Sequence, residues 1–184
     1  PDHPPCPSSL FYRMLGIEKY ASIDLNEENG AISHNLNLPL EDTSMYNQYD
    51  MVTDFGTNEH PFNVAEAYRT LHRLCKPQGL MVIIQSVYQG NGYYTFDLSF
   101  FEGIASANNY RILFSSYVIG LQARTGNGIY KAQPDQFHIP LNRDLLNTID
   151  WSKVDFIGIC YVLQKLSNDD FQYPRDGNYT SVMS

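Results

Sequence analysis

The segment from Met51 to Ile84 constrains the fold of this chain more than any other. Met51 to Phe55 has the composition of a strand, and Leu80 to Ile84 is a continuous apolar run of the kind seen in strands covered on both faces. Between them, apolar residues recur every three or four positions and predict a helix over about Val64 to Cys75. Strands that alternate with helices imply right-handed parallel crossovers, so we expect a layered α/β sheet.

Local signals support this reading of the segment. Asn63 and Glu66 have the spacing of a capping box, in which each side chain bonds a free backbone N–H at the start of a helix. Lys76-Pro77-Gln78-Gly79, with proline second and glycine fourth, predicts a type I turn before the next strand.

The remaining elements follow from the same rules of periodicity, capping and turn chemistry. A helix that begins at Asp97 has Asn108 or Asn109 for a left-handed exit. The other predicted elements are a helix from Ser8 or Ser9 through Met14 closed by Gly16, strands over Tyr20–Leu25, Ala31–His34, Tyr110–Gly120 and Val154–Leu163, a surface excursion over Gln122–Pro140, and a short helix near Leu141–Ile149.

A length of 184 residues suits one domain, over residues 10–184, preceded by a proline-rich irregular arm over residues 1–9. The net charge is −8, and ten of the twenty acidic residues fall before position 61, where only Arg13 and Lys19 oppose them. Phosphate backbones would be repelled by this half of the molecule, so we expect no nucleic-acid partner.

The three cysteines, Cys6, Cys75 and Cys160, are odd in number and widely spaced, which favours reduced thiols in a cytoplasm over a disulfide framework. No run of about 18 apolar residues and no apolar leader is present, so no membrane contact is predicted. The histidines share no short ligand spacing, and we predict no metal site.

Four reactive side chains gather at the carboxyl end of the predicted strand Met51 to Phe55: Asp54, Thr57, Glu59 and His60. In open α/β sheets, ligands bind at the carboxyl ends of the strands. His60 could remove a proton from a hydroxyl or amine, with Glu59 orienting it or holding the substrate. The alternative is that both residues only lead into the helix, with the imidazole against Pro61 or Phe62.

Two earlier strand ends carry candidate binding groups. Asp24 is placed like the acidic residue that accepts hydrogen bonds from ribose hydroxyls in nucleotide-binding sheets, or it is a turn-forming aspartate. Asn35 could pair with an adenine edge, although asparagines after strands also form turns for local reasons.

Two other motifs have structural interpretations. Tyr161 and Lys165 have the Tyr-x-x-x-Lys spacing of short-chain dehydrogenases, but that pair works on a helix and here it falls on a predicted strand. His72 is predicted to be a surface or packed imidazole on the helix over 64–75.

With these positions read, the chain resembles the class I S-adenosylmethionine-dependent methyltransferases. The resemblance covers nearly all residues from about 10 to 180, and the Gly-Thr-x-Glu-His-x-Phe-Asn element is its most specific part. The matching motifs are Met14-Leu15-Gly16, Ile23-Asp24-Leu25-Asn26, His34-Asn35-Leu36-Asn37 with Pro39, Tyr49 to Asn63, Lys76 to Gly79, Asn91 to Tyr94, Phe100-Phe101 and Asp170 to Pro174.

The resemblance implies a Rossmann-like methyltransferase sheet, mostly parallel with an antiparallel C-terminal strand. By resemblance, Asp24 would hold the cofactor ribose and Asn35 would face adenine. Glu59 and His60 would lie near the transferring methyl group. The residues expected along the methionine part of S-adenosylmethionine are Asp54, Gly56 and Thr57.

The chain also departs from the family pattern. The first strand and its glycine-rich turn have no counterpart before Asp24, Asn35 replaces an aspartate, Gln78 replaces a glycine, and a histidine is missing between Asn91 and Gly92.

Two hypotheses about function follow from the resemblance and these departures. One is methyl transfer to an oxygen or nitrogen of a small molecule, with Glu59 or His60 as base and Tyr93 and Tyr94 as substrate walls. The other is a non-catalytic binding or assembly module that has lost the cofactor. An uncovered sheet edge would also allow self-association.

Overall fold

The computed structural model describes residues 8–88, 90–121 and 135–175. It contains four α-helices and seven strands in these ranges. The helices are α1 (Ser8–Met14), α2 (Val64–Leu74), α3 (Leu98–Ala107) and α4 (Arg143–Leu146). The strands are β1 (Ile23–Asp24), β2 (Ile32–Ser33), β3 (Tyr49–Phe55), β4 (Cys75–Tyr88), β5 (Tyr110–Leu121), β6 (Asp135–Ile139) and β7 (Val154–Lys165). Short 3₁₀ turns cover Glu28–Gly30, Thr43–Met45 and Trp151–Lys153.

The fold is mixed α/β, with a five-stranded sheet in the order β3-β4-β7-β5-β6 and a separate pair of β1 with β2. β3 runs parallel to β4, whereas β7 is antiparallel to both of its neighbours and β6 is antiparallel to β5. The expectation of a mostly parallel sheet is therefore wrong. Within the described ranges, α2 is the one helix that links neighbouring strands of this sheet, and parallel neighbours need such a crossover. The expected antiparallel C-terminal strand is present as β7.

The main core lies between one face of the large sheet and the helices α2 and α3. Alternate residues of β4 and β7 point to this face because side chains on a strand change sides at every position. The core comprises Tyr68, Leu71, Cys75, Met81, Ile83, Phe96, Phe101, Ile104, Ala105, Tyr110, Ile159, Tyr161 and Leu163. Cys75 and Cys160 are free and buried, while Cys6 lies outside the described residues.

Helix α2 begins where the sequence predicts, with the Asn63 side chain accepting a hydrogen bond from the Glu66 backbone N–H at 3.4 Å. The second bond of the capping box does not form, because the Asn63 N–H donates to Asn37 Oδ1 at 2.9 Å. The type I turn predicted after this helix is wrong. Gln78 has a φ of 68°, and a type I turn keeps φ negative at its third residue, whereas a type II turn requires the left-handed value there. The turn residues are included in β4, whose pairing with β3 shifts between Tyr49 and Met51.

Several boundaries differ from expectation. β1 and β2 shrink to two residues each, and the polar residues that follow each strand form local turns, at Asp24–Asn26 and at Asn35–Asn37. The predicted surface excursion is wrong over Asp135–Ile139, which forms an edge strand on β5 through a register that joins His138 to Val118. Its preceding residues, 122–134, lie outside the described part.

The termini of the helices are informative as well. α1 includes both Ser8 and Ser9, so these two residues are helical and do not belong to an irregular arm, and residues 1–7 are not described. Gly16 takes the predicted left-handed exit from α1, and Asn109 takes it after α3.

None of the helices in the described ranges has both the length and the hydropathy needed to span a bilayer.

Candidate functional site

The loop from Asp54 to Asn63, between β3 and α2, is organised around the Asp54 carboxylate. One of its oxygens accepts the backbone N–H groups of Thr57 and Asn58 at 3.1 and 3.2 Å. Gly56 turns the chain with a φ of 75°, and its N–H donates to the Ile84 carbonyl at 2.8 Å. The loop is therefore held to the end of β3 and to β4 at the point where the pairing of these two strands stops.

The second Asp54 oxygen accepts a 2.6 Å hydrogen bond from the Gln85 amide on β4. Asp54 is 2% exposed, and this burial raises the pKa of its carboxyl to about 6, against the three hydrogen bonds that lower it. Both oxygens are thus occupied by protein donors. In this arrangement Asp54 acts as a support for the loop and presents no free acceptor to a ligand.

Glu59 is also buried, at 3% exposure, and one carboxylate oxygen accepts the Ser86 backbone N–H at 3.0 Å. Its other oxygen lies 3.9 Å from His60 Nε2, and the His60 side chain is 50% exposed. The pair therefore joins an anchored carboxylate to an accessible imidazole. At this distance the carboxylate attracts a protonated imidazole without a hydrogen bond, and the imidazole meets solvent.

The segment that carries Tyr93 and Tyr94 packs directly on Glu59. The backbone N–H groups of both tyrosines donate to the Glu59 carbonyl, at 2.8 and 3.2 Å. A Cβ at Gly92 would lie 2.4 Å from that carbonyl oxygen, so only glycine permits the contact. The Tyr94 hydroxyl donates to the Phe62 carbonyl at 2.7 Å, and the Tyr93 ring meets the Phe62 ring edge-on with centroids 5.8 Å apart.

A chain of asparagine side chains links β2 to the same loop. The Asn35 side-chain oxygen accepts from the backbone and side-chain nitrogens of Asn37, at 3.0 and 2.9 Å. The Asn37 side-chain oxygen accepts the Asn63 backbone N–H at 2.9 Å, and its carbonyl accepts from the Asn63 side chain at 3.1 Å. Asn35 therefore lies two hydrogen-bonded steps from the residue that caps α2.

Asp24 joins this set through the backbone of the short strands. Its carbonyl accepts the His34 N–H at 2.9 Å, next to Asn35. The carboxylate is exposed, and one oxygen accepts the Asn26 N–H at 3.2 Å in a local turn. The turn-forming alternative is thus realised, and the second oxygen has no donor among the described residues.

Sequence reasoning missed three polar residues of the site: Asn58, Gln85 and Asn37. Both polar side-chain atoms of Asn58 are buried and have no hydrogen-bond partner among the described residues. The same is true of the Gln85 side-chain oxygen and the Tyr68 hydroxyl. Asn37 was missed as the bridge between Asn35 and Asn63. The signal for Gln85 was its position at the end of the apolar run Leu80 to Ile84, where a polar side chain on a core strand needs a partner.

Some of the predicted cofactor residues are free to bind a nucleoside cofactor, and others are not. Gly56 has open space within 4 Å of the position where a Cβ would stand, Asp24 has an oxygen to offer, and the Asn35 amide nitrogen has no described acceptor. Thr57 follows Gly56 in the loop and is exposed. Asp54 does not fit, because its oxygens are taken. Asp24, Asn35, Gly56 and Thr57 are therefore the predicted cofactor residues that keep a free polar group, open space or an exposed side chain.

A separate cavity of about 390 Å³ lies at the C-terminal end of α2. None of the predicted site residues lines it; its walls are formed by Tyr46, Asn47, Arg69, His72, Arg73, Lys165, Asn168, Asp169, Asp170 and Phe171. Within the described ranges, no group of three His, Cys, Asp or Glu side chains is placed to hold a metal ion.

No family model matches the chain, and no curated protein sequence matches it. Among solved structures, it is similar to the crystal structure of MccD protein, with a TM-score of 0.43 and 13% sequence identity over 87% of this chain and 86% of that chain. At this level of similarity the likeness carries no conclusion about fold or activity.

Proposed function

We propose that the chain transfers a methyl group from S-adenosylmethionine to an oxygen or nitrogen of a small molecule. The observation that carries this proposal is the hydrogen-bonded path from Asp24 through His34, Asn35 and Asn37 to Asn63. It draws the ends of β1 and β2 to the loop that follows β3. That loop follows the carboxyl end of β3, where its parallel pairing with β4 stops, and open α/β sheets bind ligands at the carboxyl ends of their strands.

The proposed roles follow from the hydrogen-bonding atoms that each residue still has available. Asp24 accepts hydrogen bonds from the ribose hydroxyls with its unoccupied oxygen, and Asn35 donates its amide to the adenine. Gly56 and Thr57 line the methionine part, where a side chain at position 56 would fill the open space. Asp54 shapes this loop from beneath through its bonds to Thr57 and Asn58.

When bound, the cofactor supplies the methyl group and a neutral thioether leaving group. The acceptor lies against the exposed rings of Tyr93 and Phe62, each 73% exposed. His60 takes the proton that the acceptor loses, and Glu59 stabilises the imidazolium from 3.9 Å. Alignment by these aromatic walls is the main contribution of the protein, since a sulfonium is already an activated methyl donor.

Calorimetric titration with S-adenosylhomocysteine tests the cofactor site, using Asp24→Ala against Asp42→Ala. Asp42 is a matched control because it too is exposed and accepts a backbone N–H two residues on, from Ser44 at 3.0 Å. We expect wild type and Asp42→Ala to bind equally and Asp24→Ala to bind at least tenfold more weakly. Equal binding by all three proteins would remove Asp24 from the site.

A second candidate, a non-catalytic binding or assembly module of the same fold, is favoured by the burial of Asp54 and Glu59 in hydrogen bonds to the backbone. These carboxylates would then be structural residues retained without the chemistry. A ligand at a hundred times its dissociation constant stabilises a protein by about 2.7 kcal/mol. Absence of any thermal shift at millimolar S-adenosylhomocysteine would favour this module over the enzyme.

A further inference from the structure

The cavity at the C-terminal end of α2 contains two arginines that are held in place from both sides. Arg69 Nη1 lies 2.9 Å from one Glu66 oxygen, and Arg73 Nη1 lies 3.6 Å from the other. The Arg69 guanidinium stacks over the Tyr173 ring at 4.9 Å, and the Arg73 guanidinium over the Tyr46 ring at 5.2 Å. Guanidiniums fixed in this way lose little entropy when they bind an anion.

Each arginine still has donors to offer. Glu66 is buried, and its carboxylate takes one N–H group from Arg69. None of the described residues accepts from a second N–H of either guanidinium. A guanidinium has five N–H groups in a planar fork that matches a carboxylate, so both arginines can bind an anionic group that enters the cavity.

The other basic residues of the cavity contribute no free donor. The Lys165 ammonium gives its three hydrogens to Asn47 Oδ1, His72 O and Cys75 O at 3.0, 2.8 and 2.9 Å. His72 Nε2 donates to the Asp169 carbonyl at 2.8 Å, and its Nδ1 accepts from the Tyr110 hydroxyl at 2.6 Å. Recognition of an anion here therefore depends on Arg69 and Arg73.

One part of the cavity wall is acidic. Asp169 and Asp170 line the same cavity and are exposed. The Asp169 carboxylate accepts from the Ser167 hydroxyl at 2.8 Å, whereas no described residue donates to the Asp170 carboxylate. A ligand with only negative charge would meet repulsion from this wall, and a ligand with only positive charge would meet repulsion from the arginines.

We propose that this cavity binds a small zwitterion, of the class of free amino acids and short peptides. Its carboxylate pairs with the Arg69 and Arg73 guanidiniums, and its amine pairs with the Asp170 carboxylate. The volume of about 390 Å³ lies within the range of small-molecule pockets, roughly 300 to 1,000 Å³. The site shares no residue with the proposed methyl-transfer site, so either proposal can be disproved without affecting the other.

The test is a two-dimensional NMR titration that follows backbone amides and arginine Nε–H groups. Two zwitterions serve as probes: L-glutamine, whose charges are close together, and triglycine, whose charges are far apart. Acetate and methylamine, at matched ionic strength, represent the two halves. We expect saturable shifts at Arg69, Arg73 and Asp170 with at least one zwitterion, and binding tighter than by either half.

Variants sharpen the result. Arg73→Gln and Asp170→Asn should each weaken zwitterion binding roughly tenfold or more, the effect of losing a charge-assisted hydrogen bond. Arg111→Gln and Asp155→Asn, exposed residues outside the cavity, should leave it within about twofold. If Arg73→Gln fails to fold, Arg73→Lys keeps the charge, loses the planar fork, and should still weaken binding. The proposal is overturned if neither zwitterion gives saturable shifts, if acetate binds as tightly, or if binding is unchanged in the cavity variants.

Discussion

The Gln85 amide on β4 donates to the Asp54 carboxylate on β3 at 2.6 Å and holds a buried acid near the end of β3, where its parallel pairing with β4 stops. A second buried titratable group, His72 on α2, lies between the Tyr110 hydroxyl and the Asp169 carbonyl. The two groups affect stability in opposite directions over the same range of pH.

The sign of each effect follows from its pKa. Burial raises the pKa of Asp54 from 3.8 to about 6, so its contribution to stability is fully present below about pH 4 and is lost as pH rises through 6. Burial lowers the pKa of His72 from 6.5 to about 4, so its contribution is present above pH 6.5 and is lost as pH falls toward 4. At about 1.4 kcal/mol per pKa unit, each effect is roughly 3 kcal/mol, and the two nearly cancel.

We therefore predict that single variants reveal the two opposing contributions. Relative to wild type, Asp54→Asn should gain stability as pH rises from 4.5 to 6.5, and His72→Gln should lose it. The Asp54→Asn side chain can be accommodated because the Gln85 side-chain oxygen is unpartnered and an amide flip would present it as an acceptor. Urea unfolding at fixed ionic strength measures the slopes. Asp50→Asn is the control, since Asp50 is exposed and paired with Lys76. A slope for Asp54→Asn equal to that of wild type would contradict this account.

Lys165 is predicted to be essential for the junction of α2 and β4. It is 1% exposed, and its ammonium bonds the His72 and Cys75 carbonyls at the helix end. Lys165→Met keeps the volume but leaves these buried acceptors unpaired, which should cost about 2 to 4 kcal/mol of unfolding free energy. Lys153→Met, which removes an exposed pair with Asp150, should change stability by less than about 1 kcal/mol. Chemical denaturation of both variants provides the comparison.

Gly92→Ala should detach the tyrosine segment from Glu59. The new methyl group would lie 2.4 Å from the Glu59 carbonyl oxygen and 2.7 Å from its carbon, and backbone atoms cannot yield as a flexible side chain would. We expect a loss of about 1 to 3 kcal/mol, with altered amide shifts at Tyr93 and Tyr94. Gly103→Ala is the control, because the methyl group would meet only Pro174 at 3.3 Å and alanine favours the helix. Unchanged amide shifts at Tyr93 would show that the contact with Glu59 is not maintained in solution.

His60→Ala should reduce methyl transfer by about a hundredfold, the usual contribution of a general base, without lowering stability. The imidazole is half exposed and lies 3.9 Å from Glu59, beyond hydrogen-bond distance, so its removal breaks no hydrogen bond to the buried carboxylate. S-adenosylhomocysteine affinity should stay within about twofold, because His60 is assigned to the acceptor side. His138→Ala, a histidine on β6 that bonds Ser116, should retain full turnover. Full turnover in His60→Ala would exclude His60 as the base.

The sequence alone determined the order of elements from β3 to β4, although not the turn at Gln78, and several local features elsewhere. The capping residue Asn63, the left-handed exits at Gly16 and Asn109, and the strand character of Tyr161 and Lys165 depend on neighbours within a few positions. Tertiary structure decided the rest. Strand order placed β7 antiparallel between β4 and β5, and burial joined Asp54 to Gln85 and Glu59 to Ser86. Tertiary structure also brought Arg69 and Arg73 of α2 together with Asp170, which is distant in sequence, to line one cavity. These pairings join residues far apart in the chain, and a periodic pattern fixes only which face a side chain occupies, so it cannot specify them.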